Sequence, residues 1–285
     1  MKKLLVLVLT VIFVLSLSAA SAETVKIGVP DDTTNEARAL QLLADNGVIQ
    51  LREGAGETAT KADVIADGIE IVEVQADQLV NQLPDLDYAV INSNFVLDAL
   101  DAGIEVNTAL LVEVEEVYLP RANVLAVNGA NVDAPLTKAL TAAITSQQVK
   151  DYITNTYAGA VLSVVDNPTD GYDADVDYDA VVAALNGKKV VIAATPAPHA
   201  QILEIVKEIL AAKGIELEIA VFTGYTEENP AVDAGDAYAN YFQHQPYLDE
   251  YVKETGGNVV SVAIVHTEPM GLYGGRQADL SALGK

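Results

Sequence analysis

From Asp236 to Tyr251 the chain reads DAYANYFQHQPYLDEY, which places Tyr238, Tyr241, Phe242, Tyr247 and Tyr251 close together. His244, in the same stretch, is one of only 3 histidines, and aromatic residues make up just 6% of the whole chain. Interleaved with Asn240, Gln243, His244 and Gln245, these rings offer an apolar wall with polar tips. A pocket for a small, partly apolar ligand needs such a wall. The competing reading of the same residues is a helix that packs its rings into a core.

Two further groups have binding chemistry. Arg38 follows Asn35 at the start of a helical pattern, and a helix N-terminus joined to an arginine fork makes a carboxylate clamp. A surface pairing with Glu36 or Asp32 is the alternative. Asn92 and Asn94 end a strand-like run, where open α/β sheets bind ligands. Their amides could meet both the amine and the carboxylate of an amino acid, although turn formation also suits an isolated Asn pair.

Catalytic patterns are weaker. The chain contains no Gly-x-Ser-x-Gly, Walker loop, His-Glu-x-x-His or Gly-x-Gly-x-x-Gly. His199, His244 and His266 lack metal-ligand spacing, although they could converge in space; neither a metal site nor a catalytic residue is assigned. His266 and Glu268 would share one face of a strand, where a structural hydrogen bond is the expected role. In the run Asn167–Asp179 (NPTDGYDADVDYD) no frame starting at Asp173 or Asp175 puts a Gly sixth and a Glu twelfth as an EF-hand loop requires, and the run is expected to be an acidic surface linker.

The elements around these residues alternate. Strands are expected at Val25–Val29, Ile69–Val74, Tyr88–Asn92, Asn123–Val127, Lys188–Ala194, Glu216–Phe222 and Val259–Val265. Helical patterns fall at Ala37–Ala44, Thr60–Ala66, Ala76–Gln82, Pro135–Ile144, Gln147–Tyr157 and the stretch carrying Ile202, Ile205, Val206, Ile209 and Leu210. Buried-type strands alternating with amphipathic helices argue for α/β architecture with mainly parallel sheets. Two similar strand–Pro-loop–helix units, near residues 25 and 189, suggest two lobes with a cleft between them.

Composition bounds the class. Lys2 and Lys3, the apolar run Leu4–Leu17 and Ala20-Ser21-Ala22 form a secretory signal peptide over residues 1–22. The protein is therefore expected to be exported, periplasmic or extracellular, and soluble after cleavage. It has no cysteine, hence no disulfide and no acylated thiol. The net charge is −25, two units more negative without Lys2 and Lys3, which disfavours nucleic acid as a partner.

Several blocks are similar to one family. Pro198-His199-Ala200, Ala239–Leu248 (ANYFQHQPYL) and His266–Tyr273 (HTEPMGLY) resemble the methionine-binding proteins of bacterial methionine ABC transporters, the NlpA-type lipoproteins. Asn35–Leu43 (NEARALQLL), Ala89–Phe95 (AVINSNF) and Arg121–Val127 (RANVLAV) do so as well. The block order differs: in the family the first set precedes the second, so this chain reads as a circular permutation joined through about residues 163–187.

The resemblance implies a two-lobed binding-protein fold of type II-like form. One lobe would comprise residues 23–94 plus 274–285, and the other residues 95–273. It implies that Arg38 holds the ligand carboxylate and that Asn92 and Asn94 bind the head group. Tyr225, Phe242 and His244 would wall the side chain, with Asn240 and Tyr247 in support. Methionine as ligand, an ABC permease as partner, a monomeric state and no enzymatic activity follow from the same source. Another amino acid or a small Met-containing peptide, and an enzyme built on His244, His266 and Glu268, are the alternatives. Asp32-Thr33 replaces the family's usual Asp-Pro, and Ala37 replaces its Gly.

Overall fold

The computed structural model describes residues 24–100 and 103–285, so the signal peptide expected at residues 1–22 lies outside the described residues. Among those described, the strands in chain order are β1 Val25–Pro30, β2 Gln50–Leu51, β3 Val64–Ile65, β4 Ile69–Val74, β5 Tyr88–Asn92, β6 Leu111–Val112 and β7 Asn123–Asn128. They continue with β8 Leu162–Ser163, β9 Val190–Ala194, β10 Leu217–Val221, β11 Ala239–His244, β12 Val259–Thr267 and β13 Met270–Gly274. One sheet has the order β4-β1-β5-β13-β6, a second has β10-β9-β11-β7-β12-β8, and β2 pairs with β3.

The protein is an α/β molecule of two lobes, each a sheet flanked by helices. Both sheets are mixed, whereas the sequence pattern suggests mainly parallel ones. β4, β1 and β5 run parallel, as do β10, β9 and β11. β13 opposes β5 and β6, and β7 opposes β11 and β12. The reason is topological. The chain passes between the sheets at residues 113–122 and again at 268–269, so β6 and β13 belong to the first sheet. The change of sheet therefore falls at those crossings rather than at residues 95 and 273.

Apolar periodicity explains where the cores sit. Ile27 and Val29 of β1 and Val90 and Ile91 of β5 are fully buried, with Leu40 and Leu43 of the helix Thr33–Asp45 packed on one side and Leu79, Leu83 and Phe95 packed on the other. In the second lobe the helix Gln201–Ala211 buries Ile202, Leu203, Val206, Ile209 and Leu210 against β9 and β11. Each such side chain contributes about 1.5–3 kcal/mol when taken fully out of water. The acidic run is more ordered than a linker. Tyr178–Leu185 forms a helix capped by Asp177, which buries Val181, and Thr169 donates to the Ala142 carbonyl at 2.5 Å.

Candidate functional site

A narrow cavity lies where the two lobes meet. The first lobe lines it with Asn35, Arg38, Asn92 and Asn94, and the second with Asn123, Tyr225, Phe242, Gln243, His244 and Tyr247. Glu268, on the second crossing between the sheets, completes the lining.

The apolar wall comes from the ring-rich stretch, which is a strand followed by the helix Gln245–Thr255 rather than one helix. In β11 the pairing with β7 slips between Tyr241 and Gln243, so Phe242 is an extra residue in the ladder. A bulge of this kind re-aims side chains. Tyr241 faces the core of the second lobe, while Phe242 and its two successors reach the cavity. Tyr225, Phe242 and Tyr247 pack mutually with ring centroids 5.8–5.9 Å apart. The Tyr247 hydroxyl donates to the Tyr225 carbonyl at 2.9 Å, which holds the Tyr225 loop against the wall.

At the polar end, Arg38 is 5% exposed and is not a surface residue. Its Nε donates to Glu113 Oε1 at 2.7 Å and its Nη2 to Glu113 Oε2 at 2.5 Å. Nη2 also reaches the Glu268 carbonyl at 3.0 Å. Glu113 is held from its other side by the Met270 N–H at 2.7 Å. Glu113 and Glu268 stand on the two crossings, so Arg38 ties both connections between the lobes. The helix carrying Arg38 begins at Thr33, and Asp32 caps it by accepting from the Asn35 N–H at 3.0 Å. The helix N-terminus is thus occupied, and of the clamp expected there only the Arg38 side chain reaches the cavity, with its Nε and Nη2 already engaged.

The amides are oriented by their neighbours. Asn92 Nδ2 donates to Asn35 Oδ1 at 2.9 Å, which leaves Asn92 Oδ1 buried with no partner. Asn94 Oδ1 accepts from the Tyr225 hydroxyl at 2.7 Å, which leaves Asn94 Nδ2 unpartnered. His244 Nδ1 accepts from the Tyr247 N–H at 3.1 Å, so its proton sits on Nε2, 3.2 Å from Asn35 Oδ1. Burial, helped by the charges of Arg38 and Arg121, lowers the His244 pKa to about 3. His244 is therefore a neutral donor at ordinary pH.

Seven of the eight residues expected from sequence line the cavity. Asn240 lies behind the wall, where its Nδ2 donates to Asn229 Oδ1 at 2.8 Å and its Oδ1 accepts from Gln243 at 3.0 Å. Gln243, one of the polar tips expected of the ring-rich stretch, joins the lining, as do Asn35 and Asn123, which had not been singled out for it. Glu113, in the acidic run LVEVEEV, carried no signal: its role depends on a partner 75 positions away.

His266 is not in the lining. Its Nδ1 hydrogen-bonds the Tyr241 hydroxyl, and its Nε2 is 3.5 Å from Glu268 Oε2 without forming the expected hydrogen bond. His244 meets Asn35 and Tyr247 instead, so the three residues of the enzyme alternative do not share one hydrogen-bond chain. His199 has a pKa well below the usual range because of burial and then the neighbouring His266.

A family model described as NlpA lipoprotein matches residues 17–165 and 190–285. The chain belongs to the NlpA lipoprotein family. The unmatched residues 166–189 hold most of the acidic segment. Within the family, the membrane lipoprotein TpN32 of Treponema pallidum is 47% identical over 76 residues, 27% of this chain and 28% of that protein. The methionine-binding lipoprotein MetQ of Bacillus subtilis is 44% identical over 92 residues, 32% of this chain and 34% of that protein. In these matches the chain thus spans about a third or less of its curated relatives. A solved nutrient binding protein from Burkholderia cenocepacia bound to methionine is 32% identical, with a TM-score of 0.39, covering 48% of this chain and 57% of that one.

Proposed function

We propose that this protein captures methionine or a close analogue outside the cytoplasm by lobe closure and delivers it to a membrane ABC permease. The observation that carries the reading is the polarity of one cavity. Arg38 and the unpartnered Asn94 Nδ2 stand on one lobe, and the ring wall of Tyr225, Phe242 and Tyr247 stands on the other. An amino acid that puts its carboxylate at the first and its side chain at the second touches both lobes and stabilises their closed arrangement. Thioether sulfur against ring edges adds about 0.3–1.5 kcal/mol per contact. The relatives described as methionine-binding lipoproteins support the choice of ligand.

The reading assigns no covalent step and no cofactor. The protein acts as a monomer, exported by its N-terminal segment. Among the described residues no helix is long and apolar enough to cross a membrane.

Calorimetric titration of unfolded and refolded protein with L-methionine tests the proposal. Tight binding is expected, weakened roughly 10-fold or more in Phe242→Ala, since truncating a buried ring at a binding surface costs at least about 1.4 kcal/mol. Arg38→Lys keeps a charge for Glu113 but loses the planar fork, and is expected to bind more weakly while remaining folded. A folded protein that gives no heat with methionine, and binding in another member of an amino-acid panel, would replace the ligand.

A further inference from the structure

We propose that His199, His266 and Glu268 hold a divalent transition-metal ion of the zinc class beside the cavity. The inference is independent of which solute the cavity takes. These residues have no metal-ligand spacing in sequence, yet the fold brings one ligand atom of each within 4.8 Å of the others. His199 comes from the turn Pro196–Ala200 after β9, and His266 and Glu268 stand at and just beyond the end of β12. All three are buried, at 1%, 0% and 7% exposure.

Two of the three ligand atoms lack a partner. His266 Nε2 and Glu268 Oε2 are each buried without a hydrogen bond, and they lie 3.5 Å apart. That is long for an N–H···O bond. It suits two ligands of one tetrahedral ion, whose bonds of about 2.0–2.2 Å set neighbouring ligands about 3.4 Å apart. His266 Nδ1 bonds the Tyr241 hydroxyl, and the second nitrogen of a metal-bound histidine is held in the same way. With the Nδ1 proton given to the Tyr241 oxygen, Nε2 presents its lone pair. Charge makes a matching demand. Among the described residues the Glu268 carboxyl meets no Lys or Arg, because Arg38 reaches only its carbonyl. A buried carboxylate without a countercharge is costly, and a dication supplies one.

His199 has to exchange one partner. Its Nδ1 meets Thr195 Oγ1 at 2.7 Å and its Nε2 meets Asn123 Oδ1 at 3.0 Å. Asn123 is the ladder neighbour of His266 across β7 and β12, so the two side chains share one side of the sheet. Asn123 also lines the cavity and can turn into it. His199 then donates its Nδ1 proton to Thr195 and gives Nε2 to the ion. Two imidazoles and one carboxylate are a donor set that first-row transition metals favour over Mg2+ or Ca2+. They leave a fourth position for water. A water molecule bridging His266 and Glu268 is the competing occupant.

The test titrates chelator-stripped protein, freed of the chelator, with Co2+ in an excess of Mg2+ that occupies surface carboxylates. One equivalent of Co2+ is expected to give the visible ligand-field bands of a four-coordinate ion, and Zn2+ to displace it. The NMR spectrum should show contact-shifted ring protons from two histidines. His266→Gln and Glu268→Gln should each weaken binding at least about 10-fold, since even the outer partners of a metal site are worth that much. Asn123→Ala frees His199 Nε2 and should tighten binding, which a merely structural His199 would not show. Wild type without four-coordinate bands, or with fewer than two shifted rings, overturns the site without using any variant. Binding that Mg2+ abolishes, or that H266Q and E268Q leave unchanged in folded protein, belongs to surface carboxylates and overturns it as well.

Discussion

Glu228 is fully buried and neither of its carboxyl oxygens has a hydrogen-bond partner. Burial, the largest influence, pushes its pKa up to about 8 from an ordinary 4.5. The folded protein therefore holds a proton there that the unfolded chain releases. Stability from this group is complete below pH 4.5 and is lost as pH rises toward 8, by roughly 1.4 kcal/mol per unit at most. Glu228→Gln should remove that slope: melting temperatures of variant and wild type coincide near pH 4.5, and the variant melts higher by pH 8. Parallel melting profiles across this window would count against a protonated Glu228. Such a residue is invisible in sequence, because Glu227 and Glu228 read alike until one is buried. Arg38, by contrast, stands out in sequence as a scarce cation beside a helix start in an acidic chain, and it lines the cavity rather than the surface.

At the scale of elements, Asp32 links a helix start to the cavity. It accepts from the Asn35 N–H and from Asn35 Nδ2 at 3.0 Å, and Asn35 Oδ1 in turn meets Asn92 and His244. Asp32→Ala should cost about 1 kcal/mol of stability, as loss of an N-cap does. It should also weaken ligand binding several-fold by releasing Asn35, as read by denaturant titration and calorimetry on the same sample. A stability loss with unchanged affinity would show that Asn35 keeps its orientation without the cap. Elements with strong local patterns were legible: Ile69–Val74, Tyr88–Asn92, Pro135–Ile144 and Gln147–Tyr157 have the same limits in sequence and structure. Thr60–Ala66 was not, because Val64–Ile65 pairs with Gln50–Leu51, a contact that no local pattern announces. The helix Tyr178–Leu185 was hidden within an acidic run, as only Val181 of it is buried.

For the molecule as a whole, the order of the blocks is the open matter, and Asp87 bears on it. Its N–H donates to the Lys26 carbonyl at 3.0 Å, and its carboxyl accepts from the Lys26 N–H at 2.8 Å. The same carboxyl accepts from Arg276 at 3.0 Å and Gln277 at 3.3 Å, and its carbonyl from Gly275 at 2.9 Å. Burial alone would raise the Asp87 pKa, but the hydrogen bonds from Lys26, Arg276 and Gln277 outweigh it and hold the carboxyl below its usual range. One side chain therefore fastens β1 to the segment after β13, at opposite ends of the chain but on one lobe. In the permuted reading these two segments are covalent neighbours in the family order, and Asp87 performs here what a connection would do there. The family match falls in two parts, on either side of residues 166–189. A reordered chain should then fold and bind alike if it opens within 166–189 and a short polar linker joins residue 285 to residue 24. In the present order, Asp87→Ala should destabilise strongly, and hydrogen exchange at Lys26–Val29 should accelerate more than in β9. In the reordered chain the same substitution should cost less, because the linker limits how far the two segments can separate once the clasp is gone. Equal losses in both orders would mean that Asp87 is an ordinary buried carboxylate and that the ends owe nothing to it.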